Sequence, residues 1–191
     1  MDECTDEAVQ RLLPLVSAQR QEEAMKFRHT FGRFACLKSY VMLMEALGIS
    51  PTEKPQFEYG EHGKPFIKDH PIHFNISHCK RGIAVAVSPF PIGIDIENIQ
   101  RGINEALVKR VMNKKEKEEI TTCKQPELAF TRLWTRKEAV LKLRGTGLTD
   151  QMQDVLSSGK EHIQTFVNKE KGYVWSVASN EKADTDIIIC R

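Results

Sequence analysis

Residues Ile92-Gly93-Ile94-Asp95-Ile96-Glu97 alternate apolar and polar side chains over one short run. Successive side chains of an extended strand point to opposite faces, so Ile92, Ile94 and Ile96 share one face while Asp95 and Glu97 share the other. Acids on a solvent-facing strand are ordinary. Three isoleucines on the reverse side argue instead for a strand packed on a core. Two carboxylates side by side on such a strand repel unless a cation or a basic partner stands between them.

Two distant segments offer that partner. Phe74-Asn75-Ile76-Ser77-His78 is strand-like and ends in a polar group. Trp134-Thr135-Arg136-Lys137-Glu138-Ala139-Val140-Leu141-Lys142 is helix-like, and Trp134, Glu138 and Lys142 recur every fourth residue along one side. Taken alone, Glu138 and Lys142 read as a helix salt bridge worth a few tenths of a kcal/mol. Leu133, Trp134, Val140 and Leu141 leave that helix little free surface, however. A glutamate there needs a partner, and a metal shared with Asp95 and Glu97 would supply one. A lone histidine is more often structural, but Asn75, Ser77 and His78 cluster at a strand end, where ligand-binding groups tend to sit. Three carboxylates, one histidine and one lysine suit a hard divalent cation that holds a phosphate group. The set predicts a Mg-dependent enzyme acting on a phosphate-linked group.

Several classes are disfavoured. The 28 basic and 26 acidic residues give a net charge of +2, which does not predict nucleic-acid binding. Cys4, Cys36, Cys79, Cys123 and Cys190 are widely spaced and contain no CxxC pair, arguing against a zinc site or a disulfide scaffold and for a reducing cytosol. The acidic start (Asp2, Glu3, Asp6, Glu7) does not read as a signal peptide, and no run of about 18 apolar residues predicts a membrane span. Arg144-Gly145-Thr146-Gly147 lacks the full glycine pattern of either nucleotide fingerprint. Ser77 lacks the G-x-S-x-G frame of a nucleophile elbow.

Phe34, Leu37, Val41, Met44 and Leu47 recur at helical spacing, with Gly48 as C-cap and Pro51 as a block. Ile83 to Val87 reads as a strand, and Pro89 and Pro91 break it. Residues 104–122 predict one or two polar helices, and Pro126 opens a longer helix to about Leu143, ended by Gly145 and Gly147. Residues 162–167, 173–179 and 186–190 predict an antiparallel meander turning near Gly172. The order helix, strands, helices, strands predicts an α+β fold in two lobes, 1–90 and 91–191, jointed near the Pro-rich 88–92. Basic residues gather at 20–38 (Arg20, Lys26, Arg28, Arg33, Lys38) and at 109–117 (Lys109, Arg110, Lys114, Lys115, Lys117). Such runs are either solvated helix faces or docking surfaces for an anionic partner.

Gly63-Lys64-Pro65, the 74–78 and 93–97 segments, Glu116 after a basic helix start, and 134–142 followed by Gly145-Thr146-Gly147-Leu148 occur in this order over about residues 20–150. Together they resemble the 4′-phosphopantetheinyl transferases, specifically the larger monomeric, surfactin-synthetase-activating type. The resemblance implies an α+β pseudo-dimer of two similar helix-plus-sheet lobes with the active site at their junction. It implies transfer of the phosphopantetheine arm of coenzyme A to a serine of an acyl or peptidyl carrier protein. It further implies Mg²⁺ on Asp95, Glu97 and Glu138, with Glu138 also the general base. His78 and Lys142 would contact the diphosphate, Lys64 and Pro65 would line the adenine pocket, and Ser77, Arg20 and Arg28 would lie near the 3′-phosphate, with Lys26 and Arg33 as rivals. A cytoplasmic monomer is expected, with no membrane or nucleic-acid partner. A Mg-dependent phosphohydrolase using water as the nucleophile is the alternative.

Overall fold

The computed structural model describes residues 4–99, 101–147 and 151–181, and the backbone of 186–190. Leu148, Asp2 and Glu3 of the motifs above lie outside the described residues. The N-terminal third is helical: α1 (Asp6–Leu12), α2 (Ala18–Met25) and α3 (Thr30–Leu47). Thr5 and Ser17 side chains cap α1 and α2 by accepting from the backbone N–H of Ala8 and Arg20. Gly48 closes α3 in the left-handed conformation, φ 67°. A short hairpin, β1 (Phe57–Tyr59) and β2 (Pro65–Ile67), leads to β3 (His73–Cys79), β4 (Gly82–Ser88) and β5 (Ile92–Asn98).

Two polar helices follow, α4 (Glu105–Val111) and α5 (Lys114–Thr122). They are separate because Asn113 starts a capping box: its side chain accepts from Glu116 N–H while the Glu116 carboxylate accepts from Asn113 N–H. The long α6 (Pro126–Arg144) begins on proline and ends on Gly145 at φ 68°. Strands β6 (His162–Asn168), β7 (Tyr173–Ser179) and β8 (Asp186–Cys190) complete the chain.

The strands form two three-stranded antiparallel sheets, β3-β4-β8 and β5-β7-β6. The expected C-terminal meander is therefore corrected. β6 and β7 form the hairpin, but β8 leaves it and pairs with β4, Ile83 opposite Cys190 and Val87 opposite Asp186. β4 is buried along its whole length and is sandwiched on both edges, so it needs a partner on the side away from β3.

The faces of the two sheets sort the core. Ile83, Val85 and Val87 pack with Phe34, Leu37 and Val41 of α3. Ala84 and Ala86 on the other face meet Ile92, Ile94 and Ile96. The isoleucine face of β5 thus lies against the first sheet, and its other face lies under α6. At Gly93 the two backbones come so close that a Cβ would collide with Ala139 O and Leu143 N of α6. The glycine is what lets helix and strand meet there.

Candidate functional site

The close β5–α6 approach brings the predicted segments together. Asp95 is 3% exposed and lies between two basic or hydroxylic neighbours. Its Oδ1 accepts from Lys142 Nζ at 2.6 Å and from Ser77 Oγ at 2.9 Å. Ser77 Oγ in turn accepts from Lys142 Nζ at 2.8 Å and from Ile96 N–H at 3.2 Å, so its one donor and two acceptor positions are all used. Two residues earlier on β3, Asn75 Oδ1 accepts from Ile94 N–H at 2.8 Å. Asn75 and Ser77 thus stitch the edge of β5 to β3 by side chain rather than by a backbone ladder. This was not legible from their types, which suggested ligand contacts.

Trp134, Glu138 and Lys142 do face one way. The Trp134 indole N–H donates to Glu97 Oε1 at 3.4 Å, and Lys142 reaches Asp95. Burial, then the charge of Asp95, raises the Glu97 carboxyl above its ordinary range, while Trp134 and Lys142 oppose the shift. Burial likewise raises Glu138 to about 7, with Asp95 and Glu97 adding to the rise and Lys142 opposing it. Three mutually repelling carboxylates therefore share one ammonium. Asp95 Oδ2 and Glu138 Oε1 are buried without a hydrogen-bond partner. Even so, among the described residues no three His, Cys, Asp or Glu side chains form a closed metal-ligand cluster. Lys142 is the positive charge that compensates Asp95 here.

His78 is on the opposite face of β3 from Ser77, at its exposed end. Its ring stands edge-on to Phe31, centroids 5.6 Å apart, and burial plus the nearby Lys142 charge lower its pKa. The Lys64 ammonium donates to the backbone carbonyls of Ile92 (2.9 Å) and Leu143 (3.3 Å). Pro65 starts β2 opposite Tyr59. Arg20 has partners other than Asp95, Glu97 and Glu138. It pairs with Glu23 at 2.8 Å, lies 4.3 Å over the Tyr40 ring, and walls a cavity of about 390 Å³ that also holds Lys54, Gln56 and Tyr59. None of the cavity's lining residues belongs to the carboxylate group. Arg28 and Lys26 are exposed, and Arg33 donates to Phe27 O at 2.9 Å.

One functional-looking lysine escaped sequence reasoning. Lys137 is fully buried, and its three N–H donors meet Glu116 Oε1 (2.9 Å), Met152 O (2.8 Å) and Gln153 O (3.2 Å). The signal was its place in the apolar stripe of α6 with Phe130, Leu133 and Val140. It hangs α5 on α6, and Glu116, which the motif singled out, is its counter-ion as well as the capping-box acid.

Comparison with known proteins bears on this geometry. Residues 91–190 match the profile of the 4′-phosphopantetheinyl transferase superfamily. The chain is 31% identical over 147 residues to the 4′-phosphopantetheinyl transferase psf-1 of Bacillus pumilus, covering 74% of this chain and 63% of the relative. It is 34% identical over 147 residues to a 4′-phosphopantetheinyl transferase of Bacillus subtilis, covering 73% and 64%. With the transferase AcpT of Salmonella typhi it shares 40% identity over 119 residues, 59% of each chain. The α+β fold and these matches define the class, and the chain belongs to the 4′-phosphopantetheinyl transferase superfamily. Its match spans just under two thirds of the length of the first two relatives.

Proposed function

We propose that this protein transfers the 4′-phosphopantetheine arm of coenzyme A to a serine of an apo acyl or peptidyl carrier protein. The serine oxygen forms a bond to the phosphorus that bears the pantetheine. The bond from that phosphorus to the bridging oxygen breaks, and adenosine 3′,5′-bisphosphate leaves. The observation that carries this reading is the group Asp95, Glu97, Glu138 and Lys142 in a chain of this family. Its uncompensated buried oxygens fit a divalent cation, and Asp95, Glu97 and Glu138 are the residues that would hold Mg²⁺. Such an ion, when bound, neutralises charge on a diphosphate.

The chain's own residues supply the rest. Lys142, held by Asp95 and Ser77, presents an ammonium to the diphosphate, and His78 lies near it at the end of β3. Glu138, whose buried Oε1 has no hydrogen-bond partner, is the carboxylate that would accept the serine proton. Arg20 and its cavity offer a cationic, aromatic-walled place for the nucleotide end. We further propose two lobes, 1–90 and 91–191, each a long helix on a three-stranded sheet, with β8 completing the first sheet. A monomer follows if both halves of the site come from one chain. Four free cysteines among the described residues fit a reducing cytoplasm.

Incubation with coenzyme A, Mg²⁺ and an apo carrier, followed by intact-mass measurement, tests the function. A carrier heavier by one phosphopantetheine arm supports it. Cleavage of coenzyme A with an unlabelled carrier would favour the phosphohydrolase.

A further inference from the structure

The β1–β2 hairpin reaches the far end of α6. Its tip is closed by Gly60 N–H to Lys64 O and Gly63 N–H to Gly60 O, both 2.9 Å. From this tip the Lys64 stem lies along the α6 C-cap, with Cδ 3.6 Å from the position of a Gly145 Cβ. The neighbouring His62 Cβ lies 4.0 Å from the corresponding position at Gly147. The ammonium ends on Ile92 O, at the start of β5, and on Leu143 O, in the last turn of α6. Carbonyls of a last helical turn lack intrahelical donors and carry the negative end of the helix dipole, so a cation there is favourable. Both partners are backbone carbonyls, and burial lowers the pKa to about 8.

Ile92 lies three residues before Asp95, and Leu143 is next to Lys142. The two elements that Lys64 bridges are those carrying the carboxylates. We propose that Lys64 is a positioning residue: it straps the hairpin tip onto the β5–α6 junction and so fixes the strand bearing Asp95 and Glu97 against the helix bearing Glu138 and Lys142. Its kinetic consequence rests on the transferase reading; the strap itself does not.

A lysine that touches the nucleotide and a lysine that holds two elements in register differ in kinetics. Lys64→Met keeps the stem and removes the donors. Its kcat at saturating coenzyme A and carrier falls roughly tenfold to a hundredfold, as misplaced reacting groups do, with the coenzyme A KM within about twofold of wild type. A raised KM with unchanged kcat would overturn the proposal, as would unchanged values of both. A measurement on the wild-type protein needs neither activity nor a folded variant. In limited acetylation read by peptide mass spectrometry, Lys64 reacts at least roughly tenfold more slowly than exposed Lys114 and Lys115, because its half-buried nitrogen is committed to two carbonyls and the lost access outweighs the larger free-amine fraction that a pKa of about 8 gives. Equal rates would refute the strap. A wild-type enzyme that leaves the carrier unlabelled would remove the transferase reading while the acetylation result still decides the strap.

Discussion

Glu138 has the most consequential environment of any single residue. Its carboxyl is raised from 4.5 to about 7 by burial and by two like charges. Between those values the folded chain holds this proton more firmly than the unfolded chain. Stability is therefore greatest at the acid end of the window and falls as pH rises through 7. Glu138→Gln removes the acid but keeps the shape. In urea unfolding of the metal-free protein it shows a shallower loss of stability from pH 4.5 to 7 than wild type. Above pH 7 it is the more stable protein, and it has lost transfer activity. Glu97 keeps part of the slope, since its pKa moves the same way. Lys137 gives a second prediction at this scale. Lys137→Met strands the buried Glu116 carboxylate and costs about 3–5 kcal/mol in chemical denaturation. Residue faces were legible in the sequence where local periodicity sets them. The alternation of 92–97 put both acids on one side, and a spacing of four aligned Trp134, Glu138 and Lys142. The partners of Asn75 and Lys64 were not legible, because backbone atoms of distant segments have no residue-type signature.

At the level of elements, the decisive contact is β5 under α6, and Gly93 is its condition. Gly93→Ala places a methyl against helix backbone, which cannot rotate away as a side chain would. Helix and strand must separate. A loss of about 1–3 kcal/mol in thermal or urea unfolding is expected, toward the upper end, with a fall in activity beyond what the stability loss explains. An unaltered melting temperature would show that the helix can shift freely. Element boundaries were legible where their chemistry is local. Gly48 and Gly145 end their helices in the left-handed conformation, and Pro126 starts α6. The break between α4 and α5 was open until the Asn113 capping box settled it.

Over the whole molecule, the α+β class was legible from element order, but the path of the last strand was not. Nothing in residues 186–190 distinguishes a third meander strand from one that crosses to β4, because pairing at that distance depends on which edge the rest of the fold leaves open. Charge placement belongs to this scale too. Lys114 and Lys115 are exposed on α5, which Lys137 and Glu116 anchor to the helix of the site. A double Lys114→Glu, Lys115→Glu variant should raise the apparent KM for an acidic carrier and leave that for coenzyme A near wild type. An unchanged carrier KM would assign those lysines to solvent.

The most direct test is the initial rate of carrier modification against Mg²⁺ concentration for wild type and Asp95→Ala, with folding checked by circular dichroism. Loss of orders of magnitude in rate, in a folded variant, is the predicted result. Near-normal turnover of the variant at millimolar Mg²⁺ would contradict the assignment of Asp95, Glu97 and Glu138 to one cation-holding group.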